Sequence, residues 1–103
     1  MYEEKKKYLN QYLLQESAIS SLEQLAIQNP QKRSEYEKRI CNCMKLREEI
    51  EEKIYAVDNR LLSELLCQKY MLGKTLEQMG YILNYSKRHI ERLHIKALEE
   101  FKL

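Results

Sequence analysis

Basic side chains are concentrated in one short stretch near the C-terminal end of the sequence. Between residues 86 and 96, four lysine and arginine residues oppose a single acidic residue, Glu91. An arginine guanidinium can donate two hydrogen bonds to the major-groove edge of guanine, and a glutamate can accept one from cytosine N4. Basic residues can also neutralise phosphates, although a charged helix face is more often only solvated. Contact with duplex DNA is therefore a hypothesis that depends on the structural context of this stretch.

Apolar residues divide the same stretch into two sides if it is helical. Ile90, Leu93, Ala97 and Phe101 recur at steps of three and four residues, which places them on one face of a helix. At about 100° per residue, the opposite side carries the candidates for base contact. These candidates are Arg88, Glu91, Arg92, Ile95 and Glu99. The isoleucine can touch a thymine methyl group or be an isolated exposed side chain, and both alternatives stay open.

A shorter helix is predicted directly before the basic one. Its apolar residues share helical spacing at Leu76, Met79 and Leu83. Thr75 and Gln78 have the types and spacing of a capping box, which predicts that the helix begins there. Asn84 tolerates the left-handed conformation of a sharp helix exit, and Ser86 can cap the helix that follows. The pattern therefore predicts two helices that meet at a tight turn.

Four residues around these two helices are candidates for contact with DNA phosphates. The free N–H groups of a helix N-terminus bind anions, and such contacts set the register on DNA without reading its sequence. The candidates are Lys74, Thr75, Ser86 and Lys96.

The two helices resemble the helix-turn-helix of DNA-binding proteins. The residues that carry this resemblance are Gly80, Leu83, Tyr85, Ile90 and Leu93. With residues 65–73 in front, the segment also resembles the fourth conserved region of bacterial sigma factors, which reads the upstream promoter element and docks on RNA polymerase. This second resemblance is carried by Tyr70, Gly73, Thr75, Leu76, Glu77, Gly80, Ser86, Ile90, Lys96, Ala97 and Leu98. It covers residues 58–103 and does not extend to promoter melting, so we do not expect a complete sigma factor.

Small phage regulators of late transcription, the RinA and ArpU type, join such a module to an N-terminal helical segment, and this chain resembles that combination. The resemblance implies base contact by Lys87, Arg88, Glu91 and Arg92. It also implies a sequence-specific regulator of phage or prophage origin that binds double-stranded DNA and activates late genes with bacterial RNA polymerase. Two alternatives remain open: a small terminase-like DNA-packaging protein, and a sigma-like interaction adaptor that does not bind DNA directly.

The basic helix and its neighbour need apolar support from elsewhere in the chain. A third helix, which Asp58 or Asn59 can cap, is predicted in front of them. Its apolar residues are Leu61, Leu62, Leu65, Leu66 and Tyr70. A core made from three short helices is marginal on its own, so we expect the N-terminal half to have a structural role as well.

The N-terminal half contains a heptad pattern of alternating four- and three-residue steps. Its members are Tyr36, Ile40, Cys43, Arg47, Ile50, Ile54 and Val57, and all but the last are candidates for oligomerisation. An earlier apolar stripe consists of Leu9, Tyr12, Leu13, Ile19, Leu22 and Ala26. Pro30 restricts Asn29 away from helical geometry, so an antiparallel helical hairpin that bends at residues 29–31 is the simplest arrangement. A dimeric coiled coil is the competitor, and a homodimer through these helices is a hypothesis.

Composition agrees with an all-α fold. Two glycines and one proline in 103 residues leave few breaks, and 33% charged beside 44% apolar residues suits amphipathic helices. We expect residues 1–57 to form the N-terminal hairpin or coiled coil. Residues 58–103 are expected to form a three-helix, sigma-region-four-like helix-turn-helix module. The first segment has ten basic and ten acidic residues, so the net charge of +2 lies in the second.

Little else in the sequence indicates chemistry. Cys41 and Cys43 would lie about 200° apart on a helix, so they do not share a face for a metal, and Cys67 is expected to be a core residue. His89 and His94 are each expected to be a surface or partly packed histidine rather than a metal ligand. We find no phosphate loop, nucleophile–base pair or paired carboxylates, and we expect no enzyme, metal or cofactor. No run is long enough to span a membrane and no signal peptide is recognisable, so a cytoplasmic protein is expected.

Overall fold

The computed structural model describes residues 2–103, and every regular element in that range is helical, which confirms the all-α class. Residue 1 of the expected N-terminal segment lies outside the described residues. The helices are α1 (Tyr2–Leu9), α2 (Gln11–Gln28), α3 (Arg33–Tyr55), α4 (Arg60–Leu66), α5 (Leu76–Leu83) and α6 (Lys87–Glu100). A 3-10 turn, Pro30–Lys32, precedes α3, and a π-helical segment, Cys67–Met71, extends α4.

Helices α2 and α3 pack against each other, and the 3-10 turn Pro30–Lys32 lies between them in the chain. Asn29 leaves helical geometry, with φ −128° and ψ 74°, because the proline ring at position 30 crowds the preceding residue. Arg47 of α3 lies 3.8 Å from the carboxylate of Glu16 in α2. This ion pair explains how a charged residue fits into an otherwise apolar heptad pattern. The molecule measures 52 × 25 × 21 Å along its principal axes.

The start and the end of α4 are both fixed by local hydrogen bonds. Of the two caps considered, Asn59 is used: its side-chain oxygen accepts a hydrogen bond from the N–H of Leu62 at 3.1 Å. The π-helical extension closes when the N–H of Leu72 donates to the carbonyl of Cys67 at 3.1 Å. Gly73 follows with φ +71°, a conformation that glycine adopts without the steric cost of a Cβ. The chain can therefore turn sharply into α5.

One hydrophobic core joins the two halves of the chain. Each large aliphatic side chain removed from water contributes roughly 1.5–3 kcal/mol, so the N-terminal helices supply a substantial part of the burial that holds α4, α5 and α6 together. The side chains with no more than 2% exposure in this core are Leu9, Ile50, Ile54, Leu62, Leu65, Leu66, Tyr70, Met79, Ile90, Ala97, Leu98 and Phe101. The first three come from α1 and α3, on the other side of the expected boundary at residue 58.

Helix α1 packs against the end of α6, a contact that the sequence patterns did not predict. The ammonium group of Lys5 donates a hydrogen bond to the carbonyl oxygen of Leu98 at 2.7 Å. The hydroxyl of Tyr2 donates to the carboxylate of Glu99 at 2.8 Å. The last carbonyls of a helix lack partners within the helix and carry partial negative charge. A lysine there supplies both a hydrogen-bond donor and a compensating positive charge. Helix α1 therefore holds the C-terminal end of α6.

The shared core predicts that a change in α1 destabilises α6. Leu9 is fully buried, and we expect Leu9→Ala to lower the free energy of unfolding by about 2–5 kcal/mol in urea titrations. Amide hydrogen exchange along α6 should accelerate together with that of α1. Ile27, which is 79% exposed on α2, provides the control. Ile27→Ala should change stability by less than about 0.5 kcal/mol. Unchanged exchange in α6 of the Leu9 variant would contradict the shared core.

Candidate nucleic-acid interface

The start of α5 is fixed by the predicted capping box. The side-chain oxygen of Thr75 accepts a hydrogen bond from the N–H of Gln78 at 3.1 Å, and the side chain of Gln78 accepts one from the N–H of Thr75 at 2.9 Å. Both bonds satisfy N–H groups that have no partner within the helix. The capping box is therefore confirmed, and it sets the position at which α5 begins.

The turn between α5 and α6 is also as the residue types predicted. Asn84 has φ 58° and ψ 41°, which is the left-handed conformation, and Ser86 accepts a hydrogen bond from the N–H of His89 at 3.2 Å. The N–H of Tyr85 donates to the carbonyl of Gly80 at 2.8 Å. A Cβ at position 80 would lie 3.1 Å from the carbonyl oxygen of Tyr85, so the glycine allows the turn to close tightly.

Helix α6 has one buried and one exposed side. Ile90, Ala97 and Leu98 are fully buried, and Leu93 is half-buried. Glu99 is exposed but accepts the hydrogen bond from α1, so it already has a partner. The other candidates for base contact are all exposed and lie along the first two to three turns: Lys87, Arg88, Glu91, Arg92 and Ile95. The structure therefore brings these five residues together on one solvent-facing surface, which we call the α6 surface.

The basic side chains of the α6 surface have no carboxylate partner within the described part of the chain. The ion pairs found among residues 2–103 all lie within α1, α2 and α3. Arg88 and Arg92 are four residues apart and share a face, so their guanidinium groups project from consecutive turns. A guanidinium has five donors and no acceptor. The donors of both arginines are thus available to an acceptor outside the molecule.

The candidates for phosphate contact lie directly before α5, directly before α6 and in the third turn of α6. Thr75, Ser86 and Lys96 are exposed, and Lys74 is half-buried. The hydroxyl oxygens of Thr75 and Ser86 act as acceptors in the helix caps. Each hydroxyl retains its O–H donor for an external acceptor such as a phosphate oxygen.

The candidates for oligomerisation divide into buried and accessible residues. Ile50 and Ile54 are fully buried in the core of their own chain. They are therefore not accessible to a second chain, which corrects their prediction as oligomerisation contacts. Arg47 is half-buried beside Glu16. The remaining members, Tyr36, Ile40 and Cys43, are half-buried on the part of α3 that packs along α2.

The sequence predicts a surface or partly packed His94, and the structure buries this residue more deeply, at 6% exposure. Its Nε2 atom lies 2.8 Å from the hydroxyl of Tyr70, which is itself buried. Burial, followed by the charges of Lys69 and Lys6, lowers the pKa of His94 to about 4. The signal for this position was present in the sequence, because residue 94 lies midway between Ile90 and Leu98 on the same helical stripe.

An apolar groove of about 250 Å³ lies between α4 and α5. Its apolar lining consists of Leu61, Leu65, Met79, Ile82 and Leu83, and Glu64 and Gln68 lie at the same groove. Ile82 is 61% exposed at this groove. Sequence reasoning placed Leu83 on the inward stripe and did not consider Ile82, because the groove forms only when α4 and α5 cross.

The three cysteines are free thiols. Cys67 packs against the core, and its burial is the main reason that the pKa of its thiol is raised. Within residues 2–103, no three His, Cys, Asp or Glu side chains come together as a metal-binding group. Over the same range, no helix has both the length and the apolar character needed to cross a membrane.

Comparison of this chain with models of protein families, with curated proteins and with solved structures returned no match.

The buried His94 predicts a specific dependence of stability on pH. The pKa of this residue is about 4 in the folded chain, below the ordinary 6.5 that applies when it is unfolded. Between these values the unfolded chain binds a proton that the folded chain does not. The free energy of unfolding should therefore decrease by about 1–3 kcal/mol as the pH falls from 6.5 through 4.

The variant His94→Gln tests this prediction, because an amide can still bond to Tyr70 and does not titrate. Urea unfolding at several pH values should show a shallower decrease for His94→Gln than for the parent chain. His89→Gln is the matched control, since residue 89 is half-buried at the other side of α6, beside Tyr85. Equal slopes for the parent chain and His94→Gln would reject the assignment.

Proposed function

We propose that this protein binds double-stranded DNA in a sequence-specific manner through α6. The observation that supports the proposal is the α6 surface, where Arg88 and Arg92 project from consecutive turns without a partner in the described chain. The opposite side of the same helix is buried in the core, so the backbone positions of both arginines are fixed on the exposed side. Guanidinium groups presented from such positions are suited to bidentate contact with guanine, which discriminates by about 1–3 kcal/mol for each base.

In the proposed complex, α5, its turn and α6 act as a helix-turn-helix module in which the first two turns of α6 enter the major groove. Lys87, Arg88, Glu91 and Arg92 then reach base edges, and Ile95 lies beside them. Lys74, Thr75, Ser86 and Lys96 contact phosphates on either side and set the register. The helices α4, α5 and α6 form the sigma-region-four-like unit of this proposal, and α2 with α3 forms its helical hairpin.

We further propose that the protein is a transcriptional regulator of the phage type that acts with bacterial RNA polymerase. This part rests on the resemblance of residues 58–103 to sigma region four. The groove between α4 and α5 supports contact with some protein, because Leu61, Ile82 and Leu83 leave apolar surface exposed there. The same groove is the observation that favours the second candidate function, an interaction adaptor that does not touch DNA.

We propose that a homodimer forms through the outer face of α2. The heptad residues Ile50 and Ile54 do not take part, because they are buried within their own chain. Leu14 and Leu25 are 57% and 38% exposed on that helix. Among the residues of α2, Gln11–Gln28, only Glu16 and Glu23 carry charge, and both lie toward α3. Two copies can therefore bring their outer faces together without like-charge repulsion. A dimer would place two α6 surfaces on one DNA molecule and favour a site with two half-sites.

Reversing the charge of two arginines tests DNA reading. Arg88→Glu with Arg92→Glu should abolish the preference for selected genomic fragments, since each lost bidentate contact costs about 1–3 kcal/mol and the new carboxylates repel phosphates. Binding is measured by fluorescence anisotropy at two salt concentrations. The control, Lys38→Glu with Lys45→Glu, makes the same change in net charge at exposed positions of α3. That control should keep the preference.

The same measurement separates the two candidate functions. An unchanged fragment preference in the arginine variant would contradict the base contacts. An adaptor would show no preferred fragment for the parent chain but would retain capture of purified polymerase, and Ile82→Glu should then remove that capture. A DNA-packaging protein would instead prefer a packaging site and bind a large terminase subunit.

Two leucines on the outer face of α2 test the homodimer. We expect Leu14→Glu with Leu25→Glu to convert a dimer into a folded monomer in sedimentation velocity, because carboxylates would have to be buried at the interface. The control Ile27→Glu changes a residue that is 79% exposed on the other side of α2 and should leave the dimer intact. Sedimentation of the parent chain as a monomer at high concentration, with and without DNA, would contradict the dimer.

A further inference from the structure

A polar cleft of about 270 Å³ lies where four segments of the chain meet. Helix α1 and the residue after it contribute Lys6 and Asn10, and the π-helical extension of α4 contributes Lys69 and Tyr70. The start of α5 contributes Leu76, and the middle of α6 contributes His94. The lining residues are thus Lys6, Asn10, Lys69, Tyr70, Leu76 and His94. This cleft, which we call the Lys6–Lys69 cleft, is separate from the α6 surface.

The side chains of the cleft form a set of hydrogen-bond donors around a buried floor. The two lysines are half-buried, so their stems are held while their ammonium groups keep some access to water. Lys69 also lies over the ring of Tyr70, with its nitrogen 5.4 Å from the ring centre. At the floor, Tyr70 and His94 are at least nine-tenths buried and bond to each other.

His94 retains a free ring nitrogen in this arrangement. Its Nε2 atom is used by the bond to Tyr70. A neutral imidazole that accepts at Nε2 carries its proton on Nδ1, which is then a donor, and a protonated imidazole donates from both nitrogens. When Tyr70 donates to Nε2, or when the ring is protonated, His94 therefore has one more donor, at Nδ1, without giving up the bond to Tyr70.

The positive charge of the cleft is only partly neutralised. Lys6 lies 3.4 Å from Glu3, whose side chain is 86% exposed and pairs from the neighbouring turn of α1. Lys69 has no carboxylate within 4 Å among the described residues. Such an exposed pair is weak, so an anion in the cleft can replace Glu3 at little cost.

We propose that the Lys6–Lys69 cleft is an anion-binding site that takes a phosphate group. The two ammonium groups and the amide of Asn10 act as the outer donors, and His94 acts as the inner donor. Charge-assisted hydrogen bonds to phosphate oxygens are the strong kind, and three or more donors from different elements give the site its geometry. The phosphate can belong to a DNA backbone or to a free phosphate compound, and the two sources share this chemistry.

The DNA source rests on the proposed function, whereas the free-phosphate source does not. Leu76 of the cleft is the first residue of α5, directly after Thr75 and Lys74, which are candidates for phosphate contact. A backbone that reaches the start of α5 therefore comes near the cleft. In that case α1 takes part in DNA binding, and the N-terminal half contributes contacts as well as core.

The proposal predicts a response of His94 to an anion. The charges that face this residue are Lys6 of α1 and Lys69 of the α4 extension. The hydrogen-bond partner of His94, Tyr70, has a pKa that is raised to about 12, chiefly by burial and also by the charge of Glu3. A bound phosphate offsets the two lysines and favours the protonated imidazole. The pKa of His94 should therefore rise toward its ordinary value when the site is filled.

The experiment follows the imidazole signals of the full chain by NMR while inorganic phosphate is added at constant ionic strength, with chloride as the exchanged anion. We expect a saturable shift of the His94 signals and a higher apparent pKa, with no saturable shift at His89. His89 is an internal control because it lies beside Tyr85, outside the cleft.

Variants assign the effect to the cleft. Lys6→Gln with Lys69→Gln should weaken the apparent affinity for phosphate by about tenfold or more. Glu3→Gln should strengthen it by roughly two- to fivefold, because it removes the competing carboxylate. Lys38→Gln with Lys45→Gln makes the same change in net charge on α3 and should have no effect. Thermal unfolding by circular dichroism checks that each variant is folded.

A second arm replaces phosphate with duplex DNA and distinguishes the two sources. If the backbone fills the cleft, DNA should shift His94, and the lysine variant should reduce the slope of log affinity against log salt by about one unit for each lost phosphate contact. A response to inorganic phosphate without a response to bound DNA assigns the site to a free phosphate compound. If Arg88→Glu with Arg92→Glu keeps the fragment preference while His94 still responds to phosphate, base reading by the arginines is rejected and the phosphate site stands. The proposal is overturned if His94 gives no saturable response to phosphate or to DNA, or if the lysine variant responds like the parent chain.

Discussion

The burial of one side of α6 is the constraint on which the rest of the structure depends. Ile90, Ala97 and Leu98 are removed from water by partners from both halves of the chain. A helix of this length is marginal in water by itself, so tertiary packing fixes both its existence and its rotation about its own axis. The direction of Arg88 and Arg92 follows from that rotation. Their exposure is thus a consequence of the core and does not depend on any contact that the arginines make.

Features encoded within a few residues were predictable from the sequence. The caps at Thr75 and Ser86 each depend on a residue type and a partner three positions later, and the left-handed Asn84 depends on its residue type. The exposed side of α6 was predictable for a similar reason, since helical periodicity assigns Arg88 and Arg92 to the face opposite the apolar stripe.

Features that combine distant segments were not predictable in this way. The hydrogen bond from Lys5 to Leu98 joins residues 93 positions apart, and no local pattern carries that information. The groove between α4 and α5 and the Lys6–Lys69 cleft likewise form only after helices cross. Periodicity gave the right face for Ile50 and Ile54 but not the partner, because an apolar stripe is compatible with any apolar neighbour, from the same chain or from another.

The distribution of charge gains meaning once the ion pairs are known. In α3, Arg33 pairs with Glu37 and Arg39 with Glu35, four residues apart along the helix, so much of the charge of this segment is compensated locally. The basic residues of α6 have no such partners among the described residues. Salt largely screens the interaction between exposed charges that lie more than about 8–10 Å apart. The electrostatic potential that a ligand meets at one face therefore depends mainly on the net charge of that face. A chain with a net charge of only +2 can therefore attract a polyanion to the face that α6 presents.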